Sequence, residues 1–421
     1  MSTLYSGNTL PRFWRLEAEV PLEEWRAATD ATVGVLPNGA EVLAQGGWDG
    51  LMDYVLGEGQ FGPNRHHLSH FKRLYYRVRP MLPRALTAIA RRRYRGKQQT
   101  SFRLAWPIED RYVRFVYRAL ETVVQKNPTI PPSRFATPGP RSATRRLGFW
   151  PNDARFAFVL THDVERATGQ ALVRTLADLD ERYGFRSSFN FVPEAYLVDE
   201  ALQAELRGRG FEVGVHGLKH DGKLFLSRTE FERRAQRINH YLRKWGAVGF
   251  RSPFTHRNPE WMQALEVEYD SSFFDTDPYE PVAGGTMSIW PFFCGRFVEL
   301  PYTLVQDHTL LVTLGQRSPK VWLDKVDFIA RWGGMALVNV HPDYMGNPAH
   351  LAVYEAFLRR MAKPTDRPDG RGGMESAESA PPYWHALPRD VARWWRARAE
   401  GSSSSTRNSS LEQLTSREPQ R

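Results

Sequence analysis

Phe156-Ala157-Phe158-Val159-Leu160 is an unbroken apolar run of the kind that forms a strand buried on both faces, as in a parallel sheet covered by helices. The next segment has a different period. Leu172, Leu176, Leu179 and Tyr183 recur at helical spacing and end at Gly184, which predicts an amphipathic helix packed back on that strand. The same unit then repeats. Ser188-Phe189-Asn190-Phe191-Val192 and Glu212-Val213-Gly214-Val215 read as the next strands. Ser227 with Glu230 three residues on is a capping box, opening a helix with the face Phe231, Ala235, Ile238, Leu242 and Trp245 that Gly246 closes. Ser318-Pro319 starts another helix with Trp322, Val326 and Ile329 on one side, and Ala336-Leu337-Val338-Asn339-Val340 is a closing strand. Strands alternating with helices in this way predict an α/β fold of β/α units with parallel strands.

On either side of this repeat the pattern changes. Residues 1–150 mix Trp, Pro and Arg without regular alternation and end in a Pro-, Ser- and Arg-rich linker over 131–146. The barrel is expected over 151–362, a flexible linker over 363–382, an amphipathic helix over 383–399 carrying Val391, Trp394 and Trp395, and a disordered Ser-rich tail over 400–421. At 421 residues the chain has room for about two to three domains of roughly 150 residues each. With 41% hydrophobic and 25% charged residues it is neither wholly disordered nor fibrous. One cysteine, Cys294, permits no internal disulfide and no multi-Cys zinc site, and reads as a small core residue. Met1 to Leu16 lacks an apolar stretch of the signal-peptide type, and no run approaches the roughly 18 apolar residues of a membrane span. The expected location is the cytoplasm.

The net charge of +10 is local. Residues 59–108 carry 12 cations and no Asp or Glu, leaving 45 cations against 47 anions elsewhere. With Tyr75, Tyr76 and Tyr94 interleaved, and Leu82, Leu86 and Ile89 beside Arg91, Arg92 and Arg93, this basic subdomain could meet an anionic membrane or an acidic glycan. A solvated basic face is the alternative. No nucleic-acid-binding motif is spelled, so nucleic acid is not an expected partner. Gly57-Glu58-Gly59-Gln60-Phe61-Gly62 matches the dinucleotide fingerprint in letters only, because no strand precedes it and Pro63 comes directly after; it reads as a loop.

Polar residues able to do chemistry sit at the C-terminal ends of the expected strands: Asp163 and Glu165, His216 and His220, Arg251, and His341. In an α/β barrel those ends share one mouth. His216-x-x-x-His220 alone is a weak metal signal, but two imidazoles joined by a carboxylate leave open positions for water and substrate, as a catalytic ion requires.

These residues also fall into motifs. Leu160-Thr161-His162-Asp163-Val164-Glu165, His216-Gly217-Leu218-Lys219-His220, Arg251-Ser252-Pro253-Phe254, Tyr269-Asp270-Ser271-Ser272 and Val338-Asn339-Val340-His341-Pro342 stand in the order of the motifs of the polysaccharide deacetylases with the NodB-homology domain, carbohydrate esterase family 4, which the span from Phe156 to Tyr344 resembles. The resemblance implies a distorted (β/α) barrel that removes acetyl groups from an N-acetylated carbohydrate with one divalent metal ion, zinc being the ion expected. It implies Asp163 as catalytic base, Arg251 as its partner, His341 as general acid, and His216 and His220 as metal ligands. Val164 occupies the place of the usual metal-binding Asp; in the spacing D-x-D that some branches use, Glu165 stands at the ligand position. Asn339 replaces an apolar residue and is a second departure.

The residue types fit that chemistry. An amide needs its carbonyl polarised, a water deprotonated and its leaving nitrogen protonated. The backbone N–H of Phe254 is a candidate donor to the oxyanion. Phe254, Trp261 and Phe274 are candidates for an apolar wall against the acetyl group or sugar, with core packing the alternative use. His162 alternates away from Asp163 along an extended chain and reads as structural. Asp307-His308 reads as an exposed loop pair, and Asp270 as a loop anchor. Two rival functions stay open: a related metal-dependent hydrolase of another non-peptide C–N bond, and an inactive carbohydrate- or membrane-binding barrel. A cytoplasmic glycan intermediate, lipid-linked at the inner membrane face, would reconcile the expected substrate with the expected location.

Overall fold

The computed structural model describes residues 4–67, 102–130, 149–362 and 382–400. Most of the basic segment, the 131–146 stretch, residues 363–381 and the tail from 401 lie outside the described residues, as does the helix expected around Leu82 to Ile89. Helices α1 (Leu10–Trp14), α2 (Leu22–Thr32), α3 (Gly39–Leu56) and α4 (Arg111–Lys126) precede the barrel. The barrel then runs β1 (Phe156–Val164), α5 (Val173–Arg182), β2 (Ser188–Phe191), α6 (Glu200–Gly208), β3 (Glu212–His216), α7 (Arg228–Trp245), β4 (Gly249–Arg251), β5 (Tyr269–Asp270), β6 (Phe292–Cys294), β7 (Phe297–Glu299), α8 (Lys320–Trp332), β8 (Met335–Val340) and α9 (Pro348–Met361). Strand β9 (Tyr383–His385) and helix α10 (Pro388–Glu400) end the described chain.

The sheet runs β6-β7-β5-β4-β3-β2-β1-β8, parallel except for the β6–β7 hairpin. The fold is therefore a distorted (β/α) barrel. Its distortion lies between β8 and the β6–β7 hairpin, where no ladder forms. Thr303 N–H and Leu304 N–H both donate to Leu337 O, and Tyr302 N–H donates to Phe273 O, so an irregular extended segment completes the ring. Leaving such backbone unpaired in the interior would cost what any buried unsatisfied amide costs.

β1 is buried along all nine residues and runs beyond Leu160 to Val164, which puts Asp163 on the strand itself. Side-chain alternation then sorts its C-terminal half. Thr161 and Asp163 face the barrel interior, where Arg251 and Asn339 meet them. His162 points outward to Asp180 of α5 at 3.0 Å, with its other ring nitrogen on Val340 O, and stacks on Phe189. That is the structural role expected of it.

The expected helix over 383–399 is corrected at its start. Tyr383, Trp384 and His385 form β9, which pairs with Phe156–Phe158, the part of β1 that lies before β2 begins at Thr161↔Ser188. Unpaired β1 backbone there recruits the strand, and Pro388, pre-set for a first helical turn, opens α10.

The N-terminal helices share the barrel's hydrophobic core. Phe13 and Trp14 pack on Phe149, and Trp290 meets Phe13 edge-on at 5.2 Å. Glu58 and Arg257, each about 1% exposed, form a bidentate pair across the junction, with Arg257 Nε donating to Glu58 Oε2 at 2.7 Å. At the other end Arg398 of α10 donates to Phe13 O and lies over the Phe149 and Trp395 rings. The Gly57–Gly62 stretch is a loop with a single 3-10 turn over Gly59–Phe61.

Candidate active site

Register brings the polar residues together. Asp163 lies opposite Asn190 on β2, and Thr161 opposite Asn339 on β8. Asn190 Nδ2 donates to Asp163 Oδ1 at 2.9 Å, and Asn339 Nδ2 donates to Asp163 Oδ2 at 2.8 Å. Gly214, the next residue in register, makes room for this: a Cβ there would stand 2.1 Å from Asn190 Oδ1. Arg251 reaches Asp163, as expected, but also bonds elsewhere. Its closer bonds go to Thr161 Oγ1 and Ser271 O at 2.8 Å, and its Nη1 reaches Asp163 Oδ1 only at 3.4 Å. Two asparagine amides join the arginine in orienting Asp163.

Burial alone would raise the Asp163 carboxyl, yet it is held far below the usual range by the facing His216, Arg251 and His341 and by the Asn190 amide. Burial pushes His216 down to about 4, so at neutral pH the cations facing Asp163 are Arg251 and His341.

Glu165, His216 and His220 present one ligand atom each, all within 4.8 Å of one another. His216 Nδ1 lies 3.1 Å from Arg251 O. A carbonyl can only accept, so Nδ1 carries the hydrogen and Nε2 keeps its lone pair. That Nε2 is buried and has no hydrogen-bond partner. His220 Nε2 is 2.9 Å from Glu165 Oε1 without being aligned for a hydrogen bond. Glu165 is itself fixed through its backbone N–H, which donates to Asp343 Oδ2 at 3.0 Å, while Tyr196 ties down the preceding Val164 carbonyl. Burial opposes its charge, but His220, His341 and His216 hold its carboxyl well below the usual range. Two imidazole nitrogens and a carboxylate are a donor set a divalent ion takes, and zinc fits them. The residues present fit the group.

His341, at the end of β8, stands with Nε2 4.0 Å from Asp163 Oδ2 and 3.8 Å from Glu165 Oε1. Its Nδ1 is 2.6 Å from Asp307 Oδ1, and its backbone N–H donates to Asp307 Oδ2. Burial would lower the imidazolium, but Asp307, then Glu165 and Asp163, outweigh it and push it up to about 10. The loop-pair reading of Asp307 is thereby corrected: Asp307 is fully buried and joined to His341. Only its place beside His308 marked it in the sequence, and the partner lies 34 residues on. Asn190 and Asn339 were likewise missed as partners, although a polar amide inside an apolar strand was a signal.

The remaining candidates separate. Phe254, at a left-handed φ of 58°, sets its ring 4.3 Å from that of His220. Trp261 stacks on Phe225 and packs against Phe231, and Phe274 is buried against Tyr302 and under Arg257. Asp270 accepts from the Ser272 N–H and hydroxyl. Cys294 is buried. Among the described residues no helix is long and apolar enough to cross a membrane.

No family model and no curated protein matches the chain. Solved structures do. A protein of Mycobacterium smegmatis assigned as a polysaccharide deacetylase is 18% identical, with 62% of this chain and 94% of that one covered at a TM-score of 0.42. One of Pseudomonas aeruginosa with the same assignment is 17% identical, over 59% and 93%, at 0.46. Puue allantoinase is 14% identical, over 59% and 92%, at 0.44. These likenesses concern the course of the chain, and the chemistry rests on the side chains above. The chain is similar in fold to solved polysaccharide deacetylases, as its motifs led one to expect.

Proposed function

We propose that this protein is a metal-dependent hydrolase that removes N-acetyl groups from a carbohydrate. The observation that carries the reading is the placement of Asp163 between a Glu165, His216 and His220 cluster and an imidazolium, His341, backed by Asp307. A binding protein has no use for a base and an acid facing one another beside a ligand cluster.

Glu165, His216 and His220 would hold one divalent ion, zinc by its donor set, which supplies Lewis acidity toward the amide carbonyl and eases deprotonation of water. The protein's own groups do the rest. Asp163, ionised and clamped by Asn190, Asn339 and Arg251, accepts the proton of the attacking water; being a weak base, it depends on that assistance. Its Oδ2 spends one lone pair on Asn339 and keeps another toward the side where His341 stands. As the new C–O bond forms, negative charge collects on the former carbonyl oxygen. His341, protonated at both nitrogens because Asp307 holds the Nδ1 hydrogen, gives its Nε2 proton to the amine nitrogen as the C–N bond breaks. The products are acetate and the free amino sugar. Phe254, beside His220, forms the apolar side against which the acetyl methyl packs, and Trp261 is the weaker candidate for substrate contact.

The test measures two things on one preparation: divalent metal per chain, and acetate released from N-acetylhexosamine oligomers. One ion per chain and release that Asp163→Asn abolishes are expected. Absence of either bound metal or any Asp163-dependent release would overturn the reading.

A further inference from the structure

Asp163 is joined to a second buried acid by an amide chain of fixed polarity. Asn339 Nδ2 donates one hydrogen to Asp163 Oδ2 at 2.8 Å and the other to Gln306 Oε1 at 3.1 Å. Gln306 Nε2 donates in turn to Glu280 Oε1 at 2.6 Å. The direction cannot reverse, because turning the Gln306 amide would face oxygen to carboxylate at one end and N–H to N–H at the other. Gln306 is 6% exposed, Asn339 1% and Glu280 6%, so water cannot substitute freely for a lost partner. The other oxygen of Glu280 accepts the Thr255 hydroxyl at 2.8 Å. Thr255 and Phe254 both hold left-handed backbone, φ 52° and 58°, strained for non-glycine residues, so their turn needs outside support. Phe254 is the residue whose ring lies against His220. Glu280 thus grips both sides of the site at once: the base through two amides, and the turn that carries the aromatic wall.

We infer that Gln306 and Glu280 are positioning residues for hydrolysis, a relay that sets the direction of Asp163 Oδ2 and keeps it in register with the Phe254–Thr255 turn. The inference rests on the proposed deacetylation for its kinetic consequence. Its geometric content, that Gln306 and Glu280 fix the Asn339 amide on Asp163, does not depend on it.

The experiment compares Gln306→Met, Asn339→Ala and the double variant in the metal-loaded full chain. Gln306→Met should lower kcat about ten- to a hundredfold with KM and metal content unchanged, as loss of an outer-shell orienting partner does. In the Asn339→Ala background the same substitution should have almost no further effect, since the link it acts through is gone. An unchanged kcat in the single variant, or effects that multiply in full in the double, overturns the relay. Glu280→Gln, which keeps side-chain volume and interrupts the far end, is read in the same way if Gln306→Met does not fold. A second arm tracks the Asn339 side-chain amide by NMR. Two slowly exchanging hydrogens are expected in the wild type and one in Gln306→Met; identical exchange in both overturns the relay. If the wild type binds metal but releases no acetate, the functional reading fails alone, and this arm still decides the relay.

Discussion

His341 and Asp307 share two hydrogen bonds, one from the imidazole Nδ1 at 2.6 Å and one from the His341 backbone N–H at 2.8 Å. The pair therefore fixes both the orientation and the protonation of the ring. His341 is raised above its ordinary value, while His216, whose Nδ1 bonds the Arg251 carbonyl and whose burial outweighs the nearby Asp163, is lowered. One ring is built to carry a proton, the other to offer a lone pair.

Replacing Asp307 by Asn removes the charge that offsets burial, so the imidazolium of His341 loses its proton at lower pH. With folded His341 at about 10, the acid is present through neutrality and lost as pH rises past that range. In Asp307→Asn that loss should move to lower pH, because only Glu165 and Asp163 then oppose burial. A pH profile of kcat/KM should show the alkaline limb displaced downward, with activity on the alkaline side reduced about tenfold or more. An unmoved limb would remove His341 as the acid.

Metal content separates ligands from chemistry. Glu165→Ala and His220→Ala should each reduce bound divalent ion from one per chain to a small fraction, because two remaining donors make a poor site. Asp163→Asn should retain the ion and lose about a thousandfold or more in kcat. Full metal occupancy in Glu165→Ala, measured by elemental analysis after dialysis, would take Glu165 out of the ligand set.

Glu212 at the start of β3 is buried against the Tyr269 hydroxyl, and burial pushes its carboxyl up to about 7. A carboxyl raised in the folded state favours folding while protonated, fully below about 4.5, and that contribution disappears as pH rises through about 7. Relative to wild type, Glu212→Gln should therefore gain stability between pH 4.5 and 7.5, by up to about 3 kcal/mol from the size of the displacement. Denaturant titrations at the two ends of that range check it; a pH-independent difference would contradict it.

His385 joins β9 to the barrel with both ring nitrogens, one on Phe158 O at 3.0 Å and one accepting the Arg186 N–H at 2.9 Å. Accepting at one nitrogen requires the neutral ring, and burial lowers it to about 4. Its contribution is complete above about 6.5 and is lost as pH falls toward 4. Protection of the amides over 383–400, relative to their intrinsic exchange rates, should fall in that window in the wild type and be low at all pH values in His385→Ala.

The buried Glu58–Arg257 pair holds the N-terminal helices to the barrel, and removing one partner strands the other charge. Arg257→Met should cost about 3–5 kcal/mol, far more than any exposed ion pair of this protein, as thermal or denaturant unfolding would show. A loss below about 1 kcal/mol would mean that the junction depends on its aromatic contacts alone.

Periodicity was enough to read β1, β2, β3 and β8, the helices α5, α7 and α8 and the strand-end position of the site, because hydrophobic spacing is local and each β/α unit repeats it; the short strands β5, β6, β7 and β9 were not legible. The first strand was legible only to Leu160, since its last residues turn polar for the interior of the barrel. Asp163, Glu165, His216, His220 and His341 could be named because motif order survives in the chain. Their partners could not. Asp307 is 34 residues from His341, and Asn190 is 27 from Asp163, distances that only the curvature of the sheet closes. Residue type and spacing are properties of the chain, and they sufficed for β/α units with parallel strands and for the chemical types at the strand ends, while the barrel came from the family resemblance of the motifs. Folding in three dimensions settled which ring keeps a proton and which offers a lone pair, that two asparagines join Arg251 in clamping the base, and that the C-terminal segment adds a strand. Those outcomes depend on burial and on through-space distance, and neither is written in local sequence.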